Sequence, residues 1–151
     1  MVHAGQKSTI GVALAPALID QSAANTLSAV VDMQGYDRVR FIYQLGGMAS
    51  GASLSTWAVE SNESNLGNAT NITNAENSSQ QCALTNITNA SNNNVAVLDI
   101  YRPTKRYVGV YVDAVSANIT LLGVLHERFR GTGVMPPATA SEQQYVAFRA
   151  S

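Results

Sequence analysis

Residues Tyr36 to Leu45, YDRVRFIYQL, constrain the fold of this chain more than any other stretch. Val39, Phe41, Tyr43 and Leu45 share one side of an extended backbone, and Arg38, Arg40 and Gln44 share the other. Side chains alternate across a strand, so this pattern describes a strand with one dry face and one wet face. Ile42 interrupts the wet side and predicts that this side is partly covered as well. A strand of this kind requires a second layer to cover its dry face.

The same alternation returns in RYVGVYVDA (106–114), where Val108, Val110 and Val112 lie on one face while Tyr107 and Tyr111 flank Gly109 on the other. STIGVAL (8–14), TLSAVVDM (26–33), LSTWAVES (54–61), NVAVLDIY (94–101) and NITLLGVLHERF (118–129) read as further strands, the last central in its sheet because it is almost continuously apolar. A further strand is expected within QQCALTNIT (80–88). The short Gln34-Gly35 connection predicts a hairpin between 26–33 and 36–45, and Pro16 places a turn at 15–25. Gly46-Gly47 is expected to end the strand before it. About seven to eight strands with no helical periodicity predict an all-β fold, a β-sandwich or jelly roll.

Residues 61–94 differ in character. Asn recurs at every third position from 62 to 77 and again at 86, 89 and 92, and TNITNAEN (70–77) nearly repeats as TNITNASN (85–92). A period of three fits neither strand nor α-helix, and two copies are too few for a solenoid. The expectation is a long polar surface excursion held by Asx-turns. The domain is thus read as residues 1–130 containing this excursion, followed by an extended C-terminal arm at 131–151. In the arm, Gly131, Gly133, Pro136 and Pro137 precede YVAF, whose Tyr145, Val146 and Phe148 suit addition to a neighbour's sheet edge.

Charged residues make up only 13% of the chain, so much of its surface is neutral polar or covered by partners. A net charge of −1 gives no electrostatic footprint for nucleic acid or an anionic membrane. No N-terminal apolar core of a signal peptide and no membrane-length apolar run is present, which leaves the seven N-x-S/T sequons as by-products of composition.

No catalytic, cofactor or metal site is legible. His3 and His126 are isolated, Cys82 has no basic neighbour, and Glu60 and Glu63 read as surface carboxylates at a strand end. Arg106, Tyr107 and Tyr111, with Tyr145, Val146 and Phe148, are the candidate partner-binding residues, since Arg and aromatics are enriched at interfaces.

VDMQGYDRVRFIYQLG (31–46), STWAVESNESN (55–65), LDIYRPTKRYVGVYVDA (98–114) and ITLLGVLHERFR (119–130) occur in an order that resembles small virion structural proteins of tailed bacteriophages. The resemblance covers residues 26–130 and implies a capsid decoration, or cement, protein with a jelly-roll-like fold. Such a protein would be a homotrimer bound to the major capsid protein on the outer surface of the head. It implies no catalytic residue. A head–tail or tail component, and a carbohydrate-binding β-sandwich using Tyr and Trp platforms, are the alternatives. The Asn-rich insertion and the tail after Arg130 depart from the pattern.

Overall fold

The computed structural model describes residues 8–23, 25–74, 78–130 and, for its backbone, 142–149. Among the described residues twelve strands form two six-stranded sheets that pack face to face as a β-sandwich. They are β1 (Ser8–Leu14), β2 (Ala17–Ile19), β3 (Thr26–Leu27), β4 (Val31–Asp32), β5 (Arg38–Met48) and β6 (Ser53–Ser61), then β7 (Thr70–Asn71), β8 (Ala83–Thr88), β9 (Val95–Tyr101), β10 (Tyr107–Val115), β11 (Ile119–Phe129) and β12 (Glu142–Arg149). Among the described residues the only helical element is a short 3₁₀ turn, Asn89–Ser91.

The first sheet runs β1-β11-β5-β9-β12, with β2 also on β11. The second runs β3-β10-β6-β7, with β4 on β10 and β8 on β6. All pairs are antiparallel except β12 on β9, which is parallel. β5 lies inside the first sheet, between β11 and β9, and its dry face is that read from sequence: Val39, Phe41, Tyr43 and Leu45 are all buried. Facing them are Leu54 and Ala58 of β6 and Val108, Val110 and Val112 of β10, each without exposed surface. Burying a side chain of this size contributes roughly 1.5–3 kcal/mol. One polar bridge crosses this core. The Tyr43 hydroxyl donates to Thr56 Oγ1 at 2.8 Å, and Thr56 Oγ1 donates to the Tyr111 carbonyl at 2.7 Å. Both hydroxyls are thereby satisfied, which burial demands.

Several sequence expectations are corrected. The short strands were missed, so the count rises from about seven or eight to twelve among the described residues. Residues 26–33 form no hairpin with β5: β3 and β4 both pair with β10, in the opposite sheet. Between them Ser28 stays on β10 through its side chain, Oγ accepting from Val110 N at 2.9 Å. Ala29 N then donates to Ala13 O at 2.7 Å and ties the edges of the two sheets together. Pro16 makes no long turn. It interrupts one edge between β1 and β2, beside Gly123 of β11, whose φ of 138° accommodates the irregular register there. Gly46-Gly47 does not end β5, which continues to Met48.

The Asn-rich stretch is also more than a surface excursion. Leu66, Ile72, Cys82, Leu84 and Ile87 are buried, and β7 and β8 extend the second sheet. Asn68, Asn86 and Asn93 sit at φ of 50°, 59° and 60°, a left-handed conformation that Asn tolerates better than most residues. Asn92 clamps the end of β5, its Oδ1 accepting from Met48 N at 2.9 Å and its Nδ2 donating to Met48 O at 3.3 Å.

Candidate functional site

The directions of the strands bring one set of residues to one end of the sandwich. β5 begins there, β9 and β11 end there, and β10 begins there. Arg38, Arg40, Arg102, Lys105, Arg106, Arg128 and Arg130 gather at this end, and Arg149 is placed there by its register against Tyr101. These are eight of the nine Lys and Arg in the chain; Lys7 lies outside the described residues. The opposite end carries Asp20, Asp113 and the Glu142 position with no described cation.

Two turns hold the arginines. In the turn after β4, Asp32 Oδ1 accepts from Gln34 N at 2.9 Å, and Gly35 supplies a φ of 79°. In the turn after β9, Arg102 N donates to Asp37 O at 2.7 Å, while Thr104 N and Lys105 N donate to Glu60 Oε2 at 2.8 and 3.1 Å. Glu60 is therefore not the surface carboxylate expected from sequence. It is buried and caps this turn.

Ion pairs and rings then fix the guanidinium groups. Arg106 is bidentate to Asp32 at 2.9 and 2.7 Å, and this partner holds the Asp32 carboxyl down at about 2. Asp99, buried on the outer side of the first sheet, accepts from Arg38 and from Arg40, the latter at 3.2 Å. Both arginines lie over the Phe129 ring, at 5.5 and 5.3 Å. Arg102 lies over Tyr101 at 5.1 Å, Arg106 over Tyr107 at 5.0 Å and Arg128 over Tyr36 at 4.6 Å. A cleft of about 190 Å³ opens between Gln34, Gly35, Tyr36 and Arg130.

The candidate binding residues from sequence therefore separate. Arg106 and Tyr107 belong to this Arg-rich end. Tyr111 lies further along β10 on the outer face of the second sheet, where it stacks on Trp57 with ring centroids 5.6 Å apart and planes 26° apart. Tyr145, Val146 and Phe148 lie on β12, in register with Val97, Leu98 and Ile100 of β9. Within this chain the segment pairs in parallel with β9 at the edge of the first sheet.

Sequence reasoning missed Tyr36, Asp99 and Phe129 as partners of the arginines. It also missed a strip of exposed apolar side chains, with Ile10 65%, Val12 61% and Leu18 64% exposed along the β1–β2 edge and Leu122 and Leu125 beside them on β11. The strip was partly legible in STIGVAL, where Ile10 and Val12 alternate with small residues.

His126 is half-buried against Gly11, and burial, helped by Arg128, lowers its pKa. Cys82 is buried, and burial pushes its thiol up to about 12. Among the described residues no group of three His, Cys, Asp or Glu side chains is placed to hold a metal ion.

No protein-family model and no curated protein matches the chain. Among solved structures it is similar to the SPBc2 prophage-derived protein YomS, at 14% identity and a TM-score of 0.53. That likeness covers 85% of this chain and 98% of YomS, and it is a likeness of fold.

Proposed function

We propose that this chain is a non-enzymatic structural protein of a phage particle, and specifically a capsid decoration protein that binds the major capsid protein on the outer surface of the head. The observation that carries the reading is the all-β fold shared along nearly the full length of a prophage-derived protein. The order of sequence landmarks over residues 26–130 points the same way. The strip of Ile10, Val12, Leu18 and Leu125 supports assembly, because exposed apolar side chains aligned along a sheet edge are costly in water and mark contacts. A homotrimer would cover that strip.

Quantitative mass spectrometry of purified particles tests the reading. A copy number comparable to that of the major capsid protein is expected. A handful of copies per particle would instead assign the chain to the head–tail junction or tail, and absence from particles would sink the virion reading. Light scattering tests the trimer. A carbohydrate-binding module is favoured by one observation, the stacked Trp57–Tyr111 pair, and glycan-array binding lost in Trp57→Ala would support it.

A further inference from the structure

We propose that the Arg-rich end is a docking face for an acidic protein surface. The inference rests on the placement of charge and not on the virion reading. Net charge conceals the asymmetry: the whole chain carries −1, yet the cations among the described residues lie at one end only.

Most carboxylates at that end are already engaged. Asp32 is held by Arg106, Asp99 by Arg38 and Arg40, Glu60 by the turn at 104–105, and Glu63 by Asn68 Nδ2 at 2.9 Å. Arg102, Lys105 and Arg130 have no carboxylate partner among the described residues. Arg102 and Arg130 are exposed, and Arg130 borders the cleft at Gly35 and Tyr36. Their guanidinium donors are open to a carboxylate from outside the chain.

The chemistry favours protein over nucleic acid. Asp37 and Glu127 interrupt the arginines at the surface, so this end lacks the continuous basic stripe that tracks a phosphate backbone. Arg and Tyr together are the residues enriched at the energetic centres of protein interfaces. Tyr101, Tyr107 and Tyr36 each back one guanidinium, which lowers the side-chain entropy lost on binding. Arg102 is also held at a φ of 54°, a conformation disfavoured for a side chain of this size.

The test uses the full chain and a labelled oligo-glutamate peptide, with binding followed by fluorescence anisotropy at low and at physiological ionic strength. Arg102→Gln/Arg130→Gln removes two charges at this end. Gln21→Glu/Ser50→Glu changes net charge equally at the opposite end, using exposed positions. Arg102→Lys/Arg130→Lys keeps the charge. The wild type should bind, more weakly as salt rises, and the Gln pair should bind at least about fivefold more weakly. The control pair should match wild type, and the Lys pair should retain most of the binding. Absence of binding at low salt, or equal loss in the control pair, overturns the proposal. Tighter binding to a DNA duplex than to the peptide would overturn it in favour of nucleic acid. Self-association at low salt that the Gln pair abolishes would overturn it in favour of a second copy.

Discussion

β5 and the Asn-rich stretch at 61–94 both contribute to one core, yet only β5 shows it in sequence. In β5 the buried residues come at every second position, so the pleat itself reports which side is inside. In 61–94 the buried apolar residues are Leu66, Ile72, Cys82, Leu84 and Ile87; turns separate the first three, and the irregular register at Asn86 breaks the alternation between Leu84 and Ile87. Single anchors between turns carry no period, and polar neighbours conceal them. Low average hydrophobicity therefore does not measure how much of a segment is structural.

Substitutions make that comparison quantitative. Asp99→Ala would leave Arg38 without its buried carboxylate beneath the Phe129 ring, and should cost about 3–5 kcal/mol in urea unfolding. Phe41→Ala, at the centre of β5, should cost a similar ~3–5 kcal/mol by opening a cavity. Ile72→Ala is the sharper test. Ile72 is buried, its N donates to Ala58 O at 3.0 Å, and its O accepts from Cys82 N at 2.8 Å. A loss of about 2–5 kcal/mol is expected, and a loss near zero would restore the surface-excursion reading.

Legibility followed the same division. The all-β class, most of the long strands, and the dry faces of β5 and β10 could be read because alternation is local. The pairing partners of β3 and β4 could not, because nothing in TLSAVVDM states which sheet receives it. Turn chemistry around Gln34-Gly35 suggested a hairpin, but the chain there passes from one sheet to the other. The Arg-rich end was half legible: the arginines stand near strand ends in sequence, but their meeting depends on strand directions and on Asp99, which looked like one more residue of a strand. The alternation of Ile10 and Val12 in STIGVAL was legible, but their exposure was not, because an exposed Val and a buried Val look the same in a sequence.

Smaller effects distinguish the two ways Asn is used in 61–94. Asn86 lies at a φ of 59° within β8, so Asn86→Ala should cost roughly 1–2 kcal/mol through backbone strain alone. Asn71, in β7, has no such conformation, and Asn71→Ala should be close to neutral. Thermal unfolding of the two variants side by side reads the difference. Equal effects would mean that the period-three pattern, and not the local backbone, decides where Asn is needed.

The smallest expected effect concerns pH, and it returns to the first sheet. His126 pairs across the ladder with Gly11 on one side and Phe41 on the other, and its ring fills the space that a Gly11 side chain would occupy. Nδ1 is buried without a hydrogen-bond partner among the described residues. Burial first, and Arg128 second, disfavour the imidazolium, so the folded protein holds His126 below the 6.5 of a free imidazole. The unfolded chain then binds the proton more readily than the folded one. The stability that His126 contributes is fully present above pH 6.5 and is lost as pH falls from there through the lowered folded value. Asp32 acts in a separate window, between 3.8 and about 2, so it does not obscure this one. Melting temperature measured from pH 7.5 down to about 5 should therefore fall in wild type and stay flatter in His126→Gln. Parallel curves for the two proteins would mean that the imidazole reaches solvent when protonated, and that the packing of Gly11 beneath it leaves more freedom than the ring contacts imply.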